Sequence, residues 1–422
     1  MDSNRFATHS LTDPRILRIL ASAIEAVDPY QAVQKHLPEV EGRVFGLGIG
    51  KASIPMMDAL AKRIHLASGL AVTKFASREA SSLYSVLEGG HPVPDARSLQ
   101  AGERVLEFVS ALNENDTLVC LISGGGSALV TVPYVPLVDL QVLTSLLLAN
   151  GARIDEVNTL RRQLDRIKGG GLARTTQAKV ISLILSDVIG NPLEAIASGP
   201  TTPDPTTKED ALHILKEYDL DKQVPGSILR FLEHDSLGPK NHERDSGLRN
   251  VQNIIIGDNK LAAQAALEQA RREGLYGEIL TNELQGEARQ VGRELAQRLR
   301  VDSATKVRPF CLIAGGETTV TVREKGKGGR NQELALAAVE ELSGLQNVML
   351  VALGTDGDDG PTDAAGAVVT GESARRAESL GLNASDHLSR NDAYPFFEAL
   401  GDLLKTGPTG TNVNDLNFMF AI

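Results

Sequence analysis

Cysteine is almost absent from this sequence. The chain of 422 residues has two cysteines, Cys120 and Cys311. Each lies in an apolar stretch that predicts a buried strand, Leu118 to Ile122 and Phe310 to Ile313. Isolated buried thiols behave as small hydrophobic groups. The sequence therefore excludes a disulfide framework and a cysteine-based metal site, and we expect both thiols to be inert.

Long apolar runs and clusters of positive charge are also missing. No segment approaches the roughly 18 consecutive apolar residues of a membrane-spanning helix, and the first residues lack the basic head and apolar run of a secretion signal. We therefore predict a cytoplasmic protein without a membrane partner. The formal net charge of -11 is not offset by any run of lysines or arginines, which argues against nucleic acid as a partner. Local basic residues can still bind small anions.

The sequence also has no repeat of fixed period, and it shows instead the pattern of a globular α/β protein. Short apolar runs bounded by glycine alternate with segments in which apolar residues recur at helical spacing. At 422 residues the chain is longer than one ordinary domain of about 100 to 200 residues. Strands are predicted at Val44 to Leu47, Leu70 to Phe75, Thr117 to Ile122, Val180 to Leu185, Asn253 to Ile256, Phe310 to Ile313 and Val348 to Leu353.

A polar stretch divides the chain. The residues from Glu233 to Arg249 include glycine and proline and show no apolar periodicity, which predicts an exposed loop. We place the domain boundary there. The prediction is an N-terminal α/β domain with a parallel sheet, residues 1–245, and a second, smaller α/β domain, residues 250–422.

A glycine-rich turn lies between the first predicted strand and a predicted helix. Gly46, Gly48 and Gly50 precede Lys51 there. At the start of a helix, free backbone N–H groups and the helix dipole both attract an anion, and the lysine adds a positive charge. The turn therefore predicts an anion site. A tight turn with a solvent-facing lysine is the alternative.

The same turn matches neither of the common nucleotide motifs. The dinucleotide fingerprint needs a third glycine, where Ser53 stands, and an acidic residue at the end of the next strand, which reads Val72 to Phe75. A Walker loop needs four residues between its glycines, and these are missing. The turn thus argues against a nicotinamide cofactor.

A second glycine loop, Ser123 to Ser127, follows the strand that ends at Ile122. Its three successive glycines let the backbone approach a ligand closely. Ligands bind at the carboxyl ends of the strands in open α/β sheets. Asp187 follows another apolar strand and should emerge at the same edge. His91 lies in a loop that its prolines make stiff. The alternatives are a flexible turn for the glycine loop and a shaped connection without a function for the loop that holds His91.

The second half of the chain offers a cation and an acidic loop. Arg330 follows a basic glycine turn and precedes a predicted helix, so it could bind a carboxylate or phosphate through two hydrogen bonds. The loop from Gly354 to Asp363 holds four carboxylates, which suits magnesium. An exposed arginine and a solvated turn are the alternatives. With no GxSxG elbow, these features favour phosphoryl transfer.

Seven motifs, taken together, resemble a known family. They are GIGKAS at Gly48 to Ser53, GGHPVPD at Gly89 to Asp95, SGGGSAL at Ser123 to Leu129, SDVIGN at Ser186 to Asn191, KGGRNQE at Lys327 to Glu333, GTDGDDGPTDAAG at Gly354 to Gly366 and TGTNVNDL at Thr409 to Leu416. In these motifs the chain resembles the glycerate 2-kinases of the MOFRL type.

The resemblance implies a reaction and a set of site residues. The reaction is transfer of the ATP γ-phosphate to the 2-hydroxyl of D-glycerate, with Mg²⁺, in a cleft between the Rossmann-like and MOFRL domains. Predicted roles are catalysis by Lys51, Arg330 and Asp187; nucleotide binding by Ser123, Gly124, Gly125, Gly126, Ser127 and Asn191; glycerate binding by Lys51, His91, Arg330 and Asn412; and metal binding by Asp356 and Asp187.

Two other functions stay open at this point, along with the oligomeric state. Similar sequences are often called hydroxypyruvate reductases, which use NADH or NADPH. A nucleotide-binding sensor without catalysis is the third class. A homo-oligomer is compatible with the sequence, which gives no sign of its size.

Overall fold

The computed structural model describes residues 1–75, 83–234, 248 and 250–422. These residues form two compact units. Pro29–Ile256 make up the central unit, and Met1–Asp28 together with Gly257–Ile422 make up the terminal unit. Most of the predicted loop at 233–249, with the predicted boundary, lies outside the described residues. That boundary stays a prediction.

The described residues form the following elements. The helices are α1 (Pro14–Glu25), α2 (Pro29–His36), α3 (Ser53–Arg63), α4 (Ala96–Ser110), α5 (Gly126–Leu129), α6 (Leu137–Ala149), α7 (Ile154–Gln163), α8 (Gly171–Arg174), α9 (Lys208–Glu217), α10 (Gly226–Glu233), α11 (Asn259–Arg272), α12 (Ala288–Thr305), α13 (Arg330–Leu342), α14 (Ser373–Ser379), α15 (Ala384–Ser389) and α16 (Ala393–Leu400). The strands are β1 (Arg43–Ile49), β2 (Leu66–Thr73), β3 (Ser85–Glu88), β4 (Asp116–Ile122), β5 (Lys179–Leu185), β6 (Val251–Gly257), β7 (Tyr276–Leu284), β8 (Phe310–Gly316), β9 (Val348–Gly354), β10 (Gly366–Thr370) and β11 (Asp415–Ala421). Single 3₁₀ turns lie at Ser3–Phe6 and Ile196–Ser198.

The central unit is built on a six-stranded sheet in the order β3-β2-β1-β4-β5-β6. The neighbouring pairs from β3 to β5 in this order are all parallel. Every residue of β4 is buried, as expected for a parallel strand covered on both faces. Gly46 and Gly48 allow α3 to pack closely on β1, because a Cβ on either would lie 2.9 Å from Met57. The predicted Rossmann-like sheet is confirmed.

A small group of helices forms a second apolar cluster in the central unit. Helices α6, α7, α9 and α10 contribute to it, and Tyr134 stacks on Phe231 with ring centroids 4.7 Å apart. Val157 and Leu160 of α7 face this cluster. Helix α7 thus has one apolar face fixed in the interior, which also fixes the direction of its polar face.

The terminal unit contains a mixed sheet in the order β10-β9-β11-β8-β7. Strands β7 and β8 are parallel, and the other neighbouring pairs are antiparallel. Cys311 in β8 is buried and free, as is Cys120 in β4 of the central unit, and burial raises the pKa of both thiols. No helix in the described part of the chain is long and apolar enough to cross a membrane.

The first 28 residues pack on the C-terminal part of the chain. Arg18 donates two hydrogen bonds to the carboxylate of Glu273, both 2.7 Å long. Ser22 Oγ donates to the carbonyl of Ala265 at 3.2 Å. The division drawn from the sequence placed these residues in the first domain. The amphipathic pattern of α1 shows which of its faces is buried, but it carries no information about the partner of that face.

A buried aspartate holds the start of α13. The Asp359 carboxylate accepts hydrogen bonds from the amides of Asn331 at 3.1 Å and Gln332 at 2.9 Å. Burial raises the pKa of Asp359 to about 7, and the two amides oppose this shift only in part. The negative charge of Asp415 adds to the increase. Asp359 therefore holds its proton more tightly in the folded protein than in the unfolded chain.

This raised pKa predicts a pH-dependent stability. An unfolded aspartate titrates near pH ~4, so the contribution of the proton to stability is fully present below that pH and is lost as the pH rises to about 7. As the pH rises over that range, the loss of this contribution should lower the free energy of unfolding by on the order of 2 to 4 kcal/mol. Asp359→Asn should remove this slope, as measured by unfolding temperature against pH. Asp358→Asn, an exposed change in the same loop, is the control and should keep it. A slope that survives in Asp359→Asn contradicts the prediction.

Candidate active site

The site is built at the point where the central sheet reverses its strand order. The chain passes outwards from β1 to β2 and β3 and then crosses back to β4 beside β1. In open α/β sheets, ligands bind at the carboxyl ends of the strands beside such a point. The loops that follow β1 and β4 meet there. The Lys51 amide donates to the Gly124 carbonyl at 2.9 Å, and the Ala52 amide donates to Ser123 Oγ at 3.0 Å.

Gly50 makes this close approach possible. Its φ is 129°, in a region that favours glycine. A Cβ at this position would lie 2.2 Å from Ser123 Oγ and 2.5 Å from the Ser123 carbonyl oxygen. No side chain fits without separating the two loops.

Lys51 and His91 lie beside the glycine loop. A Cβ on Gly125 would lie 3.3 Å from Lys51 Cγ and 3.2 Å from His91 Cδ2. Burial lowers the pKa of His91 to about 4, and the positive charges of Lys51 and Lys74 add to the decrease. The imidazole is therefore neutral at neutral pH. Lys51 is exposed, and no described residue forms an ion pair with it.

Asp187 lies against the same loop. A Cβ on Gly124 would be only 2.0 Å from Asp187 Oδ2, so the carboxylate occupies the space that the missing side chain leaves. The carboxylate is half-buried. The carboxyl edge thus brings together a lysine, a neutral histidine and an aspartate around one glycine-rich backbone segment.

Two hydroxyl groups continue this edge towards α7. Ser127 Oγ lies 2.8 Å from Ser198 Oγ, and Ser198 Oγ donates to Asn158 Oδ1 at 3.4 Å. Asn191 lies in the turn after β5, where its φ is 56° and its amide donates to the Val188 carbonyl at 3.1 Å.

In the terminal unit, Arg330 is held by two carboxylates. Its Nε donates to Asp415 Oδ2 at 2.6 Å and its Nη2 to Asp415 Oδ1 at 3.1 Å, and its Nη1 contacts Glu317. Burial lowers the pKa of Arg330, but the charges of Asp415 and Glu317 outweigh it and hold the pKa above its ordinary value. The two parallel hydrogen bonds predicted for a ligand are therefore made to Asp415.

The acidic loop after β9 does not gather its carboxylates around one point. Asp359 holds α13, as described above. Asp363 accepts from the Tyr394 hydroxyl at 2.6 Å and pairs with Lys405, while Asp356 Oδ1 accepts from the Asp358 amide at 3.2 Å. Within residues 1–75, 83–234, 248 and 250–422, no group of three or more His, Cys, Asp or Glu could hold a metal ion. The role of Asp356 stays a prediction.

Asn412 is also tied to its own loop. Its Oδ1 accepts a hydrogen bond from the Asn414 amide at 3.1 Å. Thr355 Oγ1 donates to the Asn414 carbonyl at 2.6 Å and so fixes the loop to the end of β9. The side-chain amide nitrogen of Asn412 donates to no described residue.

Sequence reasoning read the run from Ser198 to Pro205 as a rigid rim but assigned no role to Lys74 or Arg161. Lys74 directly follows β2 and affects the pKa of His91. Arg161 lies on α7, one turn after Asn158. An arginine on an amphipathic helix is usually a surface residue, so only the position of α7 in the fold distinguishes this one.

The chain is similar to known proteins over nearly its whole length. Residues 15–233 match the family described as Domain of unknown function (DUF4147), and residues 310–415 match the MOFRL family. The glycerate 2-kinase of Pyrococcus horikoshii is 40% identical over 420 residues, 95% of each chain. A protein of Agrobacterium vitis named putative hydroxypyruvate reductase is 40% identical over 411 residues, covering 94% of this chain and 92% of its own.

A solved structure shows the same fold. The crystal structure of glycerate kinase from Thermotoga maritima is similar with a TM-score of 0.89 and 41% identity, over 96% of this chain and 98% of that one. The two family matches and the relatives about 40% identical over nearly the whole chain indicate the same family. The chain belongs to the glycerate kinase family in which a DUF4147 domain is joined to a MOFRL domain.

Proposed function

We propose that this protein transfers the γ-phosphoryl group of ATP to the 2-hydroxyl of D-glycerate in the cytoplasm, giving 2-phospho-D-glycerate. The observation that carries the proposal is the meeting of Lys51, neutral His91 and Asp187 around the glycine loop after β4. Phosphoryl transfer depends mainly on positioning and on charge stabilisation. This edge of the sheet supplies both.

Lys51 is the charge stabiliser in this proposal. Its ammonium group has no carboxylate partner among the described residues, so its charge is available to a phosphate. Because the glycines from Gly124 to Gly126 carry no side chains of their own, phosphate oxygens can approach the loop backbone beside Lys51.

His91 has a different role. Because its pKa is about 4, it does not repel Lys51 and Lys74 at neutral pH. A neutral imidazole offers one donor and one acceptor, which suits a hydroxyl group of glycerate.

Asp187 is the residue that fits magnesium best. Mg²⁺ is commonly held by one or two carboxylates together with phosphate oxygens and water, so a protein cage of three carboxylates is not required. The half-buried carboxylate of Asp187 beside the glycine loop is such a ligand. The ion would neutralise phosphate charge during transfer. Asp356 is the second predicted ligand, and it lies in the terminal unit.

Arg330 and Asn412 are proposed to bind glycerate from the terminal unit. A guanidinium has five N–H donors, and Asp415 and Glu317 accept from three of them. The remaining N–H groups of Arg330 can reach an anion while the two carboxylates orient the side chain.

Hydroxypyruvate reduction is the second candidate, because one relative has that name. The strand order of the central unit also occurs in dinucleotide-binding domains. Against it, Ser53 replaces the third glycine of the fingerprint, and its Oγ donates to the Val72 carbonyl at 3.0 Å. Lys74 follows β2, where NAD-binding proteins have an acidic residue.

Two assays separate these functions and a non-catalytic sensor. With glycerate, ATP and Mg²⁺ we expect stoichiometric ADP and 2-phosphoglycerate. With hydroxypyruvate and either NADH or NADPH we expect no change in nicotinamide absorbance. Oxidation of NADPH without ADP formation would overturn the proposal, and nucleotide binding without either reaction would support the sensor.

Lys51→Met removes the ammonium group and keeps the aliphatic stem. We expect kcat to fall by about a hundredfold or more, the scale of one lost charge stabiliser, with an unchanged unfolding temperature. Lys62→Met, an exposed change near the end of α3, the helix that follows Lys51, is the matched control and should retain parental activity. If the activity of Lys51→Met stays within a few-fold of the parent, the Lys51 side chain only faces solvent and has no part in the reaction.

Arg330→Lys keeps the charge but loses the planar fork. Because Asp415 is buried, losing one charge-assisted bond should lower stability by about 1.5 to 3 kcal/mol. If Arg330 also binds glycerate, the KM for glycerate rises about tenfold or more. Glu317→Gln, which releases one N–H of Arg330, should leave stability near the parental value. A change in stability alone, without any change in KM, would limit Arg330 to holding the fold.

A further inference from the structure

Arg161 differs from the basic residues around it in having no counter-ion. Arg162 pairs with Asp204 at 2.8 Å, and Lys168 pairs with Asp165 at 2.7 Å. Both pairs are buried. In the part of the chain that the structure describes, no residue accepts a hydrogen bond from Arg161 or forms an ion pair with it. Burial alone lowers the pKa of this guanidinium, and no carboxylate opposes the decrease.

The neighbours of Arg161 connect its helix to the glycine loop of the site. Residues three apart on a helix share a face, so Arg161 follows Asn158 on the polar face of α7. Asn158 reaches Ser127 of the glycine loop through Ser198. From another direction, burial lowers the pKa of Lys168, Asp165 opposes this decrease, and the positive charge of Arg161 adds to it. The Lys168 ammonium donates to the Val130 carbonyl at 3.2 Å just after α5.

The local charge favours an anion. Arg161 and Lys168 bring two positive charges to this region, and Asp165 neutralises one of them. A half-buried guanidinium without a partner is unfavourable, because a buried charge needs an ion pair or hydrogen bonds. A carboxylate or phosphate group matches the planar fork with two parallel hydrogen bonds.

We propose that Arg161 determines substrate specificity by binding the carboxylate of the hydroxy acid on the Ser127 side of the glycine loop. This inference rests on the proposed glycerate kinase activity. Lys51 lies beside Gly125 in the middle of the loop, whereas Asn158, one turn before Arg161 on α7, is linked to Ser127 at the end of the loop. The two cations therefore lie near different parts of the loop. Glycerate carries its carboxylate on the carbon next to the reacting hydroxyl. An enzyme needs separate cations for the carboxylate and for the phosphoryl group that is transferred.

The test compares two acceptors in two proteins. Glyceramide keeps the hydroxyls of glycerate but replaces its carboxylate by a neutral amide. Arg161→Met should lower kcat/KM for glycerate by about tenfold to a hundredfold, mainly through KM, and should change kcat/KM for glyceramide by less than about threefold. The kcat/KM of Arg161→Lys for glycerate should lie between the values of the parent and of Arg161→Met. Arg166→Met, an exposed change in the same segment, should match the parent.

Other outcomes overturn the inference. An equal loss with both acceptors, together with a raised KM for ATP, would assign Arg161 to a phosphate group. Parental kinetics in Arg161→Met would assign it no ligand. If Arg161→Met does not fold, Arg161→Lys tests the same difference between the acceptors. If the parent itself has no kinase activity, the proposed function fails, and calorimetric binding of glycerate to the parent and to Arg161→Met still decides the role of Arg161.

Discussion

The site depends on the close contact between the loops after β1 and β4. Two hydrogen bonds connect these loops, one from the Lys51 amide and one to Ser123 Oγ. The contact requires glycine at position 50, because a Cβ there would overlap Ser123. Through this contact the start of α3, Lys51 and the glycine loop become one rigid arrangement, and His91 and Asp187 pack against it. The strand order determines where the contact forms, and Gly50 determines how close it is.

Much of this arrangement could be predicted from the sequence. Continuous apolar runs identify parallel strands, and glycines between a strand and a helix identify the turns at their carboxyl ends. These two signals located Lys51, Ser123 to Ser127 and Asp187 on one edge. They work because each depends only on neighbouring residues and on the fixed geometry of a parallel sheet.

The rest depends on contacts between distant residues, which have no local signal. The spacing of the acidic loop suggested a shared metal, but Asp359 accepts from the first amides of α13 and Asp363 from Tyr394. Arg330 is occupied by Asp415, 85 residues further along the chain. The packing of α1 on the C-terminal part of the chain and the unpaired charge of Arg161 are also set by tertiary structure. Composition and periodicity are the same whether such partners exist or not.

The arrangement of the terminal unit has a consequence for synthesis of the chain. Domains generally fold as units while the ribosome is still producing the chain. Residues 29–256 contain a whole unit, so they can fold while later residues are still being translated. Helix α1 is synthesised before the central unit, but its partner α11 follows that unit in the chain. The apolar face of α1 therefore stays uncovered while all 228 residues of the central unit, residues 29–256, are being made.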